Sequence, residues 1–223
     1  MSSLILTIVV LFFALPASAQ EQRPASFVDA ASVVPGLVVE MRYFGENNFV
    51  GKRIDGYEQP VCLLTRQAAE ALAGVARDVQ PRGLKLKVFD CYRPKRAVAH
   101  FLRWAEAVED IKRKAAFYPD MDKRSLFAEG YIASVSGHSR GSTLDLTLVN
   151  EAGVELDMGT PFDFLSPRSA PSDTHVGVLA QKNRALLASA MNRRGFRPYG
   201  KEWWHFTLRG ELFPDTFFDF PVR

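Results

Sequence analysis

Imidazole is scarce in this chain, which has histidines only at positions 100, 138, 175 and 205. A catalytic zinc needs three N or O ligands and an open position for water, so the useful question is which of these rings could converge with a carboxylate. His138 lies in Ser136-Gly137-His138-Ser139-Arg140-Gly141, a small-residue turn that leads into Thr143-Leu144-Asp145. Such a turn lets a loop imidazole fold back beside a strand aspartate. His205 follows Glu202 by three residues, and Trp203 and Trp204 between them can shield a site from bulk water.

The second pair raises a geometric difficulty. Residues i and i+3 of a regular strand point to opposite faces, so Glu202 and His205 can share a site only if the backbone bulges or twists between them. We expect that irregularity. Taken alone, Glu-x-x-His reads equally well as a solvated charge followed by a packing histidine. His100 falls in a predicted helix and His175 in a loop, and neither is needed as a ligand. Trp203 and Trp204 read as packing residues.

These side chains must be carried by the elements around them. Leu37 to Tyr43 is strand-like, and Phe44 to Gly56 reads as an irregular loop. Thr65 can cap a helix to about Val79, with Ala69, Leu72, Ala76 and Val79 on one face. Leu84 to Phe89 alternates as a strand with one buried face and delivers Asp90 to Arg93 at its end. Pro94 suits the first turn of a helix striped by Val98, Phe101, Leu102 and Ala105. The charged region from Glu109 to Gly130 reads as a helix plus a connection. Thr143 to Val149 alternates strictly and sets Asp145 on the face opposite Leu144, Leu146 and Leu148. A Pro- and Ser-containing loop from Gly159 to Asp173 precedes a helix from about Val176 to Arg194, its apolar face being Leu179, Leu186, Leu187 and Met191, with Gly195 as its stop. Glu202 to Leu208 is aromatic and β-branched, as a strand should be.

The totals narrow the class. With 223 residues the chain has room for one sizeable core, and its formal charge of +3 comes from 28 basic and 25 acidic side chains without a basic run, which argues against a nucleic-acid partner. Residues 1–19 read as a signal peptide, an apolar run from Leu4 to Leu15 followed by Pro16 and Ala17-Ser18-Ala19, with cleavage after Ala19. The run is too short for the roughly 20 residues that span a bilayer. No Lys or Arg precedes it, so its positive charge rests on the terminal amine. The expected location is therefore periplasmic or secreted, without a stable membrane anchor. Residues 20–26 read as a mobile leader and 27–223 as the catalytic domain. In an exported chain the two cysteines, Cys62 and Cys91, suggest one disulfide, the alternative being two buried thiols.

The ordered motifs carry a resemblance. The stretch from Ser136 to Asp145 looks like the Ser-x-His-x-x-Gly-x-x-x-Asp signature of the zinc D-alanyl-D-alanine dipeptidases. Asp90-Cys91-Tyr92-Arg93-Pro94, Met158-Gly159-Thr160-Pro161-Phe162-Asp163 and Glu202-Trp203-Trp204-His205 are similar to that family's other blocks, in the same order. Asn48-Phe49-Val50-Gly51 and Gly56-Tyr57 extend the likeness toward the start. The resemblance implies that His138, Asp145 and His205 hold one zinc ion per chain, that Glu202 is the general base, and that Arg93 stabilises the oxyanion. It also places Ser136 and Asp163 at the free amine of a small dipeptide, where a carboxylate both attracts an ammonium and excludes acylated substrates. Asp163 reads alternatively as a turn residue, and Asp90 as either an orienter of Arg93 or a cap on its strand.

The implied fold is a single α+β domain of the hedgehog/DD-peptidase type, an antiparallel sheet carrying the metal ligands with helices packed outside it. Two rivals remain at this stage: a zinc D,D-carboxypeptidase or endopeptidase acting on peptidoglycan stem peptides, and a metal-stabilised binding module without catalysis. The sequence leaves oligomeric state open.

Overall fold

A computed structural model describes residues 21–223. The signal-peptide reading of residues 1–19 lies outside the described residues. Within the stretch 20–26, read as a mobile leader, Glu21 and Arg23 are tied to the other end of the chain. Arg23 Nη1 donates to the Arg223 carbonyl at 2.9 Å, and the Asp219 N–H donates to Glu21 Oε2 at 2.8 Å.

The domain is α+β. Among the described residues twelve α-helices and β-strands follow one another: β1 (Phe27–Asp29), β2 (Val38–Val39), β3 (Leu63–Thr65), α1 (Arg66–Val79), β4 (Leu84–Asp90), α2 (Lys95–Glu106), α3 (Lys114–Phe117), α4 (Lys123–Ala128), β5 (Thr143–Asn150), α5 (Val178–Arg193), β6 (Phe196–Tyr199) and β7 (Glu202–Leu208). Five strands form the main sheet in the order β2-β4-β5-β7-β6, and β1 pairs with β3 in a small antiparallel ribbon. The sheet is antiparallel except at one edge, where β2 runs parallel to β4.

Local chemistry explains most of these boundaries. Thr65 caps α1, its side chain accepting from the Ala68 N–H, and Gly83 turns into the left-handed region at φ 68 to start β4. Pro94 caps α2, and Gly195, at φ 88, follows the end of α5. The strand expected from Leu37 to Tyr43 is only two residues long, because the chain leaves the sheet after Glu40 donates to the Val88 carbonyl. It then turns through Arg42–Phe44 and buries Tyr43. The region from Glu109 to Gly130 holds two short helices rather than one.

β5 is the central plank. Every residue from Thr143 to Val149 is buried, so both faces of this strand are covered. α1 packs on β4 and on α5, and α5 also packs against β6 and β7. The segment after β7 wraps back and locks the region of the expected site. Phe218 and Phe220 pack on Phe27, Phe220 stacks on Tyr92 with ring centroids 4.2 Å apart, and the Phe218 N–H donates to the Ser139 carbonyl. Each such ring contributes about 1.5–3 kcal/mol by leaving water. Cys62, just before β3, and Cys91, just after β4, are joined by a disulfide with Cα atoms 5.2 Å apart. Among the described residues no helix is long and apolar enough to cross a membrane.

Candidate metal centre and active site

Two irregularities in the sheet build the site. The β4–β5 register slips between Val88 and Asp90, a bulge at Phe89 that sets Asp90 opposite Asp145. The second slip is larger. Pro198 lies opposite Phe206, yet the next residue, Tyr199, lies opposite Glu202, so Trp203 to His205 form an excess stretch in β7. This is the distortion that Glu-x-x-His required, and it brings Glu202 Oε2 to 3.6 Å from His205 Nδ1. On its other side β7 remains regular, with His205 opposite Asp145.

His138 arrives from a 3-10 turn, Gly137–Arg140. The Ser136 hydroxyl accepts the His138 N–H at 3.3 Å, and the Arg93 and Gly141 N–H groups donate to the His138 carbonyl. Gly141 closes the turn at φ 81 against the Phe27 ring, and a Cβ there would lie 2.2 Å from Phe27 Cε1. Position 141 therefore excludes any side chain.

The three side chains meet. His205 Nδ1 is 3.1 Å and His138 Nε2 3.4 Å from Asp145 Oδ1, and the two ring nitrogens are 3.3 Å apart. His138 Nδ1–H donates to the Cys91 carbonyl at 2.7 Å, which fixes the tautomer and leaves the Nε2 lone pair facing the cluster. Asp145 Oδ1 is buried without an aligned hydrogen bond, although two imidazole nitrogens lie so near. A buried carboxylate oxygen in that condition is costly unless a cation completes it. Three potential ligand atoms within 4.8 Å of one another, from two imidazoles and a carboxylate, match the donor set of a divalent metal.

The charge states agree with that use. Burial would raise Asp145, but His138 and then His205 outweigh it and hold the carboxyl well below its usual range. Burial lowers His205, keeping its ring neutral as a ligand must be. Glu202 is not one of the three. Burial, reinforced by Asp145 and Asp163, pushes its carboxyl well above the ordinary value, toward the behaviour of a proton acceptor that can also return its proton.

Arg93 lies beside this cluster. Its Nε and Nη2 bind Asp90 Oδ2 at 2.9 and 2.8 Å, and Nη2 is 3.7 Å from Asp145 Oδ2. Burial opposes its charge, and Asp90 with the surrounding groups more than offsets this. Asp90 thus orients Arg93, and Tyr57 Oη–H donates to its other oxygen at 2.6 Å. Asp163 lines the same cavity, buried, with its backbone at φ 60, and takes the Tyr43 hydroxyl at 3.0 and 3.2 Å. Burial and then Asp145 push its carboxyl up to about 8.

A cavity of about 240 Å³ joins these groups, lined by Asp145, His205, Glu202, Arg93, Asp163 and Ser136 among others. That is below the roughly 300–1,000 Å³ of pockets for drug-sized ligands, so a small substrate suits it. His175 is exposed and bonded to Asp173, and His100 accepts the Asp55 N–H, both away from the cluster. Trp203 packs, its Nε1–H donating to Thr160 Oγ1, while Trp204 lines the cavity. Sequence reasoning assigned no site role to Tyr43, Tyr199 or Tyr131, which also line it. Single tyrosines carry no spacing signal, and Asp90 together with the family likeness around Gly56-Tyr57 was what touched the shell that holds Arg93.

A family model described as D-ala-D-ala dipeptidase matches residues 23–223. The chain belongs to this peptidase family. It is 39% identical over 199 residues to a D-alanyl-D-alanine dipeptidase of Enterococcus faecium, covering 89% of this chain and 98% of the relative. Dipeptidases of the same name from Enterococcus faecalis and Streptomyces coelicolor are each 40% identical, over 88% of this chain and 98% and 97% of theirs. The likeness therefore spans the whole of the folded domain, site included.

Proposed function

We propose that the protein is a zinc-dependent dipeptidase that hydrolyses D-alanyl-D-alanine and similar small free dipeptides, with one ion per chain held by His138, Asp145 and His205. The observation that carries this reading is the convergence of those three ligand atoms around the orphaned Asp145 Oδ1, with an unligated carboxylate beside them. When bound there, zinc supplies Lewis acidity and makes water a nucleophile near neutral pH. Glu202 takes the proton of the attacking water and passes it to the departing amine. Arg93, fixed by Asp90, keeps further donors of its fork for the oxygen that gains charge as the carbonyl becomes tetrahedral.

Asp163 and Ser136 would receive the substrate's free ammonium. A carboxyl held near neutrality by burial ionises when a cation arrives, whereas an N-acylated substrate would leave it buried and unpaired. The small cavity and this anchor favour a dipeptidase over a carboxypeptidase acting on long stem peptides. Rates on free and N-acetylated D-Ala-D-Ala, with zinc content measured alongside, test the reading. A preference for the acetylated substrate would reverse it in favour of a D,D-carboxypeptidase. Glu202→Ala protein that keeps its zinc and its full rate would sink the mechanism.

We further propose that the enzyme is exported and salvages wall-derived dipeptide outside the cytoplasm. The leader-like composition of residues 1–19 and the Cys62–Cys91 disulfide support this, since such bonds persist in oxidising compartments. The intact mass of the mature protein tests it. A chain beginning at Gln20 is expected, and one retaining Met1 refutes cleavage.

A further inference from the structure

The buried face of α5 carries a cation. Ala180, Leu187 and Met191 are fully buried along one stripe, and Arg184 lies among them at 3% exposure. The hydrogen bonds of its guanidinium run to a single segment. Nε donates to the Met158 carbonyl at 2.7 Å, Nη1 to Ala170 at 2.8 Å, and Nη2 to the Arg168 carbonyl at 3.0 Å and Thr160 Oγ1 at 3.3 Å. Arginine is rarely buried unless paired, and here its rigid fork is spent on backbone carbonyls of the loop that carries Asp163. That loop has little regular structure of its own beyond a 3-10 turn at Pro167–Ser169.

Proton positions in the network follow from donor counting. Thr160 Oγ1 accepts from Arg184 and also from Trp203 Nε1 at 3.0 Å, which occupies both its lone pairs. Its own proton must then go to Ser169 Oγ at 2.9 Å, and Ser169 donates to the Phe164 carbonyl at 2.6 Å. Phe164 is the residue after Asp163, which turns the chain through the left-handed region at φ 60. Trp203 is the residue after Glu202, in the excess stretch of β7. Arg184 thus ties the loop of the amine anchor to the strand of the general base.

We propose that Arg184 is a positioning residue for substrate selectivity, holding Asp163 where a free ammonium is recognised through the chain Thr160, Ser169 and Phe164. The inference rests on the dipeptidase reading above, with Asp163 as anchor. A charge-assisted bond is sensitive to placement, so loosening this chain weakens binding of the free dipeptide, while His138, Asp145 and His205, whose own contacts run to one another and to the Cys91 carbonyl, keep the metal.

The test is a double-mutant cycle on the zinc-loaded full chain with free D-Ala-D-Ala. Arg184→Lys keeps the charge and loses the fork. It is expected to raise KM about tenfold, with kcat within about threefold and zinc content unchanged. In an Asp163→Asn background the same substitution is expected to change KM by less than about twofold. An equal KM rise in both backgrounds, or a fall in kcat with KM constant, overturns the proposal and leaves Arg184 a structural residue. If Arg184→Lys does not fold, Ser169→Ala cuts the chain beyond Arg184 and must give the same dependence on Asp163. Wild-type protein that prefers the acetylated dipeptide refutes the dipeptidase reading itself, an outcome seen before any variant is made.

Discussion

Removing the Cys62–Cys91 bridge tests how the end of β4 is held. The bond closes a loop with a sequence separation of 29, at the point where β4 passes into the Arg93 turn. Loop-closure entropy for that length costs the unfolded chain about 12 cal/mol/K, or about 3.6 kcal/mol at room temperature. Both residues are wholly buried, so the lost sulfur contacts of a Cys62→Ala, Cys91→Ala double variant add to this. For a domain of this size, about 3.6 kcal/mol corresponds to a fall in Tm of roughly 7–14 °C. The site itself should survive, because the Cys91 carbonyl that accepts His138 Nδ1–H lies at the end of the β4–β5 ladder, which is intact in the variant. Urea unfolding of metal-free protein is the suitable assay, since bound metal would stabilise both forms by mass action. The m-value should rise as the unlinked denatured chain expands. A loss below about 1 kcal/mol, or an unchanged m-value, would refute the loop-closure reasoning. Loss of metal binding by folded variant would instead show that the bridge, and not the ladder, holds His138.

Three further outcomes follow from the same geometry. Asp163 has its carboxyl raised from 3.8 to about 8, so its protonated form favours the folded state; that stability is present below the unfolded value and is lost as pH rises through about 8. Metal-free wild type should therefore lose more Tm between these limits than Asp163→Asn does, and equal losses would show that the carboxyl does not titrate there. Gly141→Ala places a methyl into the Phe27 ring at a positive φ, so it should destabilise the fold by more than about 2 kcal/mol and reduce metal affinity, read by unfolding and by metal titration. Arg93→Lys loses the paired bonds to Asp90 and should lower kcat by about 100-fold or more with zinc content unchanged, whereas a change confined to KM would remove Arg93 from the transition state.

Helix and strand periods made much of the scaffold legible. The α1 stripe and the alternation of β4 and β5 follow from residue spacing, and β7 from its aromatic and β-branched composition, with Thr65, Pro94 and Gly195 as punctuation. On α5 the structure departs from the apolar spacing: Leu179, on the expected stripe, is 62% exposed, while Arg184 is buried. Hydrophobic spacing assumes an apolar neighbour, but this helix packs partly against a loop whose carbonyls need donors. The short strands β1, β2, β3 and β6 leave no readable pattern, since two to four residues are too few to show a period.

For the site, the residues alone offered His138 beside Asp145 and a Glu-x-x-His pair that needed a distortion, while the full ligand set and the places of Glu202 and Arg93 came from the family resemblance. The tertiary structure alone supplied the bulge at Phe89, the three-residue excess in β7, the Tyr43 hydroxyl on Asp163 and the Arg184 network. Candidate ligand types and ordered motifs are local properties of the chain and are visible in its sequence. Convergence to about 3 Å depends on register between strands far apart in sequence, and a single slipped residue there turns a side chain to the other face.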